Sequence, residues 1–277
     1  MAFIRALPED NTFLDKAYLD NLKTISSKVN RERLLLGTWE YSDSDNSLIT
    51  YDAITDAFSG AVSAKVKPGK YFITCDPARF GADSTVIILW SGLRAEKILQ
   101  FDELSTAETA QKILQLKNQY SVPVANICID QDGIGGGVCD QLPGCVNFTN
   151  NARPKEINGK QMNYANLKSQ AYFKLADLIN ERAIYINCEN QTMKERIVAE
   201  LEQVRVKPSS TEGKLAIISK AEVKEQLGRS PDAADALMLR AYWELVPQGG
   251  GKVQIIELDK RNFSRMNRPN YEHIRFY

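Results

Sequence analysis

The chain has 277 residues, 43% of them hydrophobic, which is enough to bury a substantial core as one large domain or one domain with appendages. Its 35 basic residues balance its 35 acidic residues, so the net charge gives no support to nucleic-acid binding through a generally basic surface. The five cysteines form no C-x-x-C pair and the single histidine is His273, which argues against a disulfide framework, a structural zinc site or a histidine triad.

Residues 1–60 are predicted to form a helical, linker-like segment. Strand signals are few in this part of the chain, and apolar residues recur at helical spacing. The amino terminus lacks the apolar core of a secretory signal, and no apolar run approaches the roughly 18 residues of a membrane span, so we expect a soluble intracellular protein. The helical spacing is carried by Tyr18, Leu19, Leu22 and Ile25.

Two strands joined by a turn are predicted between residues 70 and 90, near the start of a domain that we place at residues 61–246. Apolar, β-branched and aromatic residues fill both runs, and the turn contains proline and glycine. Asp76 ends the first strand, so its carboxylate is expected to face the end of the sheet. Arg79 in the turn is a candidate contact for a DNA phosphate, although a single basic residue is more often a solvated surface charge.

A second buried strand also ends in an aspartate. The apolar run of residues 124–129 suits a strand covered on both faces, and Asp130 follows it directly. The loop after it is rich in glycine but lacks the spacing of a dinucleotide-binding fingerprint, so it is a weak signal for a phosphate cradle. Asp132 in this loop is interpreted as a turn residue. A short helix from Val138 and a strand near Val146 come next.

Two helices of the domain have clear start signals. Ser105 and Glu108 form a capping box, in which each residue binds the backbone of the other. Ser219 and Glu222 form a second capping box, and its helix is expected to end at Gly228.

A long helix and a hairpin lie between these two helices. The apolar stripe of residues 167–178 is interpreted as core packing. Alternating residues on both sides of a polar turn predict a β-hairpin over residues 204–218. Lys207 and Lys214 on this hairpin are candidate DNA contacts as a group, because phosphate contacts add up.

Two further carboxylates lie at the start of a helix near the end of the domain. Ser230 is a good N-cap and Pro231 suits the first helical position, so Asp232 and Asp235 are expected to project to the same side. Acidic residues in a first helical turn are also favoured by the helix dipole, so this pair alone proves little.

Asp76, Asp130 and the pair Asp232 and Asp235 follow one another in strand, strand, helix order. Mg²⁺ and Mn²⁺ prefer oxygen ligands, and two such ions can activate water and stabilise the leaving oxygen of a phosphodiester. Three or four convergent aspartates can hold such a pair. The pattern therefore favours a metal-dependent site that cuts phosphodiesters.

This order of motifs resembles that of the ribonuclease H-like nucleases, and more closely the nuclease part of the large terminase subunit of tailed bacteriophages. The resemblance implies an α/β fold with a ribonuclease H-like mixed central β-sheet flanked by helices, a mostly helical N-terminal segment and a β-hairpin insertion. The N-terminal stretches resemble the segment that joins the packaging ATPase to this nuclease. The stretches that carry the resemblance are residues 3–8, 37–40, 76–78, 129–135 and 230–237.

The resemblance also implies ligand roles. Asp76 would bridge two divalent ions, Mg²⁺ or Mn²⁺, with Asp130 completing one side and Asp235, with or without Asp232, the other. The division between Asp232 and Asp235 stays open. Asp83 resembles an additional acidic position of some family members, and a turn carboxylate that caps a nearby threonine is the alternative.

The resemblance further implies a role and partners. The family cuts concatemeric double-stranded viral DNA during genome packaging, in the cytoplasm of the infected bacterial host, with a small subunit and the capsid portal directing site choice. No P-loop motif is present in the chain, so it should not hydrolyse ATP by that route, and it looks like the carboxy-terminal part of a terminase without its ATPase domain. Residues 247–277 are expected to be a flexible polar tail.

Three alternatives remain at this point. Another ribonuclease H-like nuclease, such as a Holliday-junction resolvase, would share the acidic centre. An actin-like ATPase also begins its sheet with an aspartate-bearing strand and a hairpin that grips phosphate, but it uses more glycine in that turn. An inactive structural module would have to bury carboxylates without metal, which is costly.

Overall fold

A computed structural model describes residues 7–8, 11, 13–23, 35, 46–78, 83–207 and 213–246. Arg79 and the predicted tail at residues 247–277 lie outside the described residues. The described residues after position 45 build a mixed sheet with helices on both faces. No helix among the described residues is long and apolar enough to cross a membrane.

Three α-helices lie in the described residues of the N-terminal part, and Ser47 forms an antiparallel bridge with Arg205. Helix α1 spans Lys16–Lys23, α2 spans Tyr51–Asp56 and α3 spans Gly60–Lys65. The side chains of Thr50 and Ser59 cap α2 and α3 by accepting backbone N–H bonds. Residues 48–57, which precede the predicted boundary at residue 61, contribute buried apolar side chains to the same core as the sheet.

Six strands form one sheet in the spatial order β5-β4-β1-β2-β3-β6. Neighbours β1 and β2, and β2 and β3, run antiparallel, whereas β4 pairs in parallel with β1 and β5, and β6 pairs in parallel with β3. The strands are β1 Tyr71–Asp76, β2 Thr85–Ser91, β3 Arg94–Phe101, β4 Ile127–Asp130, β5 Val146–Phe148 and β6 Tyr185–Ile186.

Seven further α-helices and two short 3-10 helices, Val124–Asn126 and Leu239–Ala241, complete the described part. The capping boxes of α4 and α8 form as predicted, and α8 ends at Gly228 in the left-handed conformation. The short helix before β5 begins a few residues earlier than predicted, and the sequence analysis did not predict β6 or α7. The helices are α4 Thr106–Gln119, α5 Gly135–Cys139, α6 Leu167–Asn180, α7 Gln191–Leu201, α8 Lys220–Leu227, α9 Asp232–Met238 and α10 Tyr242–Leu245.

Side chains of the central strands alternate between two cores. In β2, Ile87 and Leu89 pack on the face covered by α4 and α5, whereas Val86, Ile88 and Trp90 pack on the face covered by α6, α7 and α9. A strand buried on both faces reads as a continuous apolar run, and β4 is buried along its whole length. The strand begins at Ile127, later than the run predicted from residue 124, because residues Val124–Asn126 form a 3-10 turn instead.

The predicted hairpin is present as a short antiparallel pairing. Val206 pairs with Ile217, the Lys207 N–H donates to the Ala216 carbonyl, and the Ile218 N–H donates to the Arg205 carbonyl. Residues 208–212 of its turn lie outside the described residues.

Gly135 in the glycine-rich loop packs against the strand end rather than leaving open space. A Cβ atom added there would lie 1.7 Å from the Asp130 carbonyl oxygen and 3.2 Å from Pro77 Cγ. A Cβ at the next glycine, Gly136, would meet nothing closer than the Gln131 carbonyl oxygen at 3.8 Å. The absence of a side chain at Gly135 therefore allows α5 to begin in contact with the backbone of Asp130, the last residue of β4.

We expect Gly135→Ala to destabilise the protein by at least about 1–3 kcal/mol, because the backbone of β4 and α5 must separate to admit the methyl group. Gly136→Ala is the matched control, since alanine is up to about 1 kcal/mol better than glycine in a helix and has room there. Denaturant unfolding of both variants measures the difference. Equal stabilities would contradict the close packing at Gly135.

Candidate metal centre

Strand parity places Asp76 and Asp130 on one face of the sheet. In β1, Phe72 faces the core under α6, α7 and α9, so Asp76, four residues later, faces the same side. Cys128 of β4 faces that side too, and Asp130 follows two residues later. Because Cys75 pairs with Ile129, the two aspartates lie next to each other at the end of neighbouring parallel strands.

Helix α9 brings the other two aspartates to the same place, but its start differs from the prediction. Pro231 is the N-cap and Ser230 precedes the helix, so the predicted cap at Ser230 was wrong. The Pro231 side chain makes no hydrogen bond to the backbone N–H groups at the start of the helix. Instead Glu200 of α7 accepts the Ala234 N–H at 2.8 Å, and it caps the helix from a neighbouring element.

Asp232 is held in a network of its own. Its Oδ2 accepts the Ser84 backbone N–H at 3.0 Å and an N–H of Arg196 at 3.0 Å. Arg196 also donates to Glu200 at 2.8 Å, so Asp232 is linked to the residue that caps α9. Burial raises the pKa of Asp232, and the Ser84 hydrogen bond and the charges of Lys220 and Arg196 oppose this only in part.

Asp235 is held from a different direction, although it lies on the same helix. Tyr172 Oη donates to its Oδ1 at 2.6 Å, and Lys168 Nζ lies 2.8 Å from the same oxygen. Its Oδ2 is buried without a hydrogen bond, although Lys220 Nζ is 3.1 Å away. Burial alone would raise the pKa of Asp235, but Lys168, Lys220 and the Tyr172 hydrogen bond outweigh it and lower the pKa to about 2.

The ammonium of Lys220, the first residue of α8, lies among the carboxylates. Its Nζ is 3.1 Å from Asp235 Oδ2, 3.6 Å from Asp76 Oδ2 and 3.8 Å from Asp232 Oδ1. Burial would lower the pKa of Lys220, but the three carboxylates together raise it, so it stays protonated. A positive charge therefore sits where the aspartates converge.

The ionised form of Asp76 is strongly disfavoured by its surroundings. Burial raises the pKa of its carboxyl well above the ordinary value, Lys220 lowers it in part, and Asp235, Asp130 and Asp232 raise it further. Like charges this close disfavour full ionisation unless cations neutralise them.

Asp130 is positioned by Asn150, which the sequence analysis did not single out. Asn150 Nδ2 lies 2.9 Å and 3.2 Å from the two Asp130 carboxylate oxygens, and the Asp132 N–H donates to Asp130 Oδ1 at 3.0 Å. Asp132 in turn accepts the Asn150 backbone N–H at 3.1 Å, in keeping with its interpretation as a turn residue. Burial raises the pKa of Asp130, and these hydrogen bonds offset only part of the rise.

The other candidate residues are less directly involved. Asp83 pairs with Lys224 of α8 at 3.0 Å, and it does not cap Thr85, whose hydroxyl instead bonds the backbone of Ala78. Lys207 and Lys214 are exposed on the hairpin. The structure therefore brings Asp76, Asp130, Asp232 and Asp235 together and leaves the rest around them.

Several residues of the site had only weak sequence signals. Lys168 and Tyr172 lie one helical turn apart on α6, which the sequence analysis treated as core packing. Arg196 and Glu200 have the same spacing on the unpredicted helix α7. A polar pair at helical spacing inside an apolar stripe is the one signal that singles out such residues in a sequence.

The residues present suit a hard divalent cation. The donors are carboxylate oxygens, and Asp235 Oδ2 is a buried anionic oxygen without a hydrogen bond. Within the described residues, no three His, Cys, Asp or Glu side chains are already arranged to enclose a metal ion. Lys220 supplies positive charge at the centre instead, so metal binding requires that its ammonium move aside.

Comparisons with known proteins identify the fold. No protein-family model matches the chain, and no curated protein matches it. The nuclease domain of the large terminase subunit gp2 of bacterial virus Sf6 has a TM-score of 0.60 and 22% identity, over 70% of this chain and 98% of that one. A mutant of that domain with manganese and beta-thujaplicinol has a TM-score of 0.60 and 21% identity over the same shares. The large terminase nuclease from thermophilic phage G20c has a TM-score of 0.46 and 16% identity, over 73% and 100%.

The likeness to the Sf6 domain at this level of identity shows the fold. The mixed sheet with helices on both faces is the ribonuclease H-like arrangement that the sequence resemblance implied, so that prediction is confirmed.

We expect Asp76→Asn to raise the melting temperature of the metal-free protein at pH 7.5. The raised pKa of Asp76 means that its contribution to stability is full below the unfolded value near 3.8 and is lost as the pH rises through the folded value. The melting temperature of the variant should therefore fall less than that of the wild type between pH 4 and pH 8. Thermal unfolding in EDTA at a series of pH values measures this difference. Asp140→Asn, at an exposed carboxylate, is the control. A lower melting temperature for Asp76→Asn at pH 7.5 would contradict this electrostatic picture.

Proposed function

We propose that this protein is a divalent-metal-dependent endodeoxyribonuclease that cuts concatemeric double-stranded viral DNA during genome packaging. The observation that carries the proposal is the meeting of four buried aspartates, from β1, β4 and α9, at one end of a ribonuclease H-like sheet. Burying four carboxylates together is costly unless cations neutralise them, so a structural role alone is a poor explanation.

Asp76, Asp130 and Asp235 are the proposed ligands of two Mg²⁺ or Mn²⁺ ions. When bound, such ions activate the attacking water and stabilise the leaving oxygen of the phosphodiester. Asp232 and Asp235 each have one oxygen held by hydrogen bonds and one that faces Lys220. The link from Asp232 through Arg196 to Glu200, which caps α9, supports Asp232 as the residue that positions the helix and Asp235 as the ligand, with Asp83 as an auxiliary carboxylate.

The chain's own cations have two proposed tasks. Lys220 neutralises the aspartates when no metal is present and withdraws when metal binds, which the partial exposure of its side chain at the start of α8 permits. Lys207 and Lys214 on the hairpin, with Arg79, are proposed contacts for DNA phosphates. The hairpin is well placed for this, because Ile217 and Ile218 border the same small cavity as Asp235 and Lys220.

The proposed setting is the packaging machinery in the cytoplasm of an infected bacterium. The Sf6 protein with this fold is part of a large terminase subunit. We propose that a packaging ATPase domain, a terminase small subunit and the capsid portal are partners, and that ATP is hydrolysed by the ATPase domain because this chain has no P-loop.

The test is conversion of supercoiled plasmid to nicked and linear forms in Mn²⁺, Mg²⁺, Ca²⁺ or EDTA. We expect cleavage with Mn²⁺ or Mg²⁺ that falls by more than about 100-fold in Asp76→Ala and in Asp235→Ala, since even outer residues of metal sites contribute 10–100-fold. Asp140→Ala, at an exposed carboxylate outside the cluster, is the matched control. Cleavage that persists in both site variants would overturn the assignment, and preference for four-way junctions would favour a resolvase.

A further inference from the structure

Helix α6 presents two donors, one turn apart, to a single oxygen of Asp235. Tyr172 Oη lies 2.6 Å and Lys168 Nζ lies 2.8 Å from Asp235 Oδ1. Lys168 Nζ also lies 5.8 Å from the Tyr172 ring centroid, so the two side chains lie side by side. Among the described residues, none of Asp76, Asp130 and Asp232 accepts from two side chains of a single helix in this way.

The interaction is buried, which makes its geometry costly to break. Asp235 is 1% exposed and Tyr172 is 3% exposed. Hydrogen bonds to a charged group are stronger than neutral ones, and a buried partner that is left unpaired costs its full desolvation penalty. Rotating the Asp235 carboxylate would leave both donors, or one of them, without an acceptor.

The two oxygens of Asp235 are therefore not equivalent. Oδ1 is saturated by the α6 donors, whereas Oδ2 has no hydrogen bond and faces the Lys220 ammonium, which also approaches Asp76 and Asp232. Oδ2 is therefore the oxygen of Asp235 that shares the Lys220 ammonium with Asp76 and Asp232.

We propose that Lys168 and Tyr172 are positioning residues that fix the Asp235 carboxylate so that it binds metal through Oδ2 alone. This inference rests on the proposed function. The two donors act through Asp235 and need not touch DNA or metal. Holding a ligand in place before the metal arrives raises affinity, because less orientational freedom is lost on binding.

The test uses the full 277-residue chain and measures Mn²⁺ binding by calorimetry, independently of cleavage. Tyr172→Phe keeps the ring and removes the donor, and we expect its Kd for Mn²⁺ to rise by about 10–100-fold. Tyr164→Phe, on a half-buried tyrosine of the preceding loop, is the matched control and should bind as the wild type does. Melting temperatures in EDTA verify that each variant is folded.

Lys168 provides the second variant. Lys168→Gln should weaken Mn²⁺ binding and Lys168→Arg should restore most of it, a pattern that general loss of packing would not produce. If Tyr172→Phe fails to fold, the Lys168 pair decides the question. Plasmid cleavage should require a correspondingly higher Mn²⁺ concentration, with a maximal rate that changes less than the half-saturating concentration.

The outcomes separate the two proposals. The positioning role would be overturned if Tyr172→Phe or Lys168→Gln bound Mn²⁺ as tightly as the wild type. If the wild type also cleaved DNA, the proposed nuclease function would remain supported. Equal weakening in Tyr164→Phe and Tyr172→Phe would also overturn the positioning role. A wild type that neither binds Mn²⁺ nor cuts DNA would overturn both.

Discussion

Mutual repulsion among four buried aspartates is the constraint around which this structure is organised. Asp76, Asp130, Asp232 and Asp235 are each less than a tenth exposed, and each is within electrostatic reach of at least one of the others. Fold stability alone gives no reason to gather such groups. Their neutralisation explains why cationic residues from three different helices converge on the same end of the sheet, namely Lys168, Arg196 and Lys220.

The negative charges of the four aspartates are neutralised to different extents, and this difference supports their different proposed roles. Asp235 is kept ionised by two ammonium groups and a tyrosine, whereas burial dominates at Asp76 and raises its pKa. Asp232 is joined through Arg196 to Glu200, the residue that caps α9. One helix thus supplies two carboxylates, one linked to the residue that caps the helix and one held by two donors of α6, separated by a single turn.

Backbone packing makes this cluster possible. The alternation of side chains in β1 and β4 directs both strand-end aspartates to the side where α9 lies, and a shift of one residue in either strand would turn its aspartate to the opposite face. The absence of a Cβ at Gly135 allows α5 to begin against the carbonyl of Asp130. The glycine-rich loop, which as a sequence suggested a phosphate cradle, therefore serves the packing of the strand end.

The sequence by itself determined the strands that end in Asp76 and Asp130, the capped helices α4 and α8, and the helix that carries Asp232 and Asp235, because turn chemistry, capping and periodicity act between neighbouring residues. It did not determine α7, β6, the cap of α9 or the roles of Lys168, Tyr172, Asn150 and Lys220. Those depend on which side chains meet across distances of up to about 150 positions in the chain, as in the Ser84 and Asp232 hydrogen bond between residues 148 positions apart. Only tertiary packing decides such contacts, and here it also decided that Asp235 Oδ1 binds Tyr172 and Lys168 whereas Oδ2 faces Lys220.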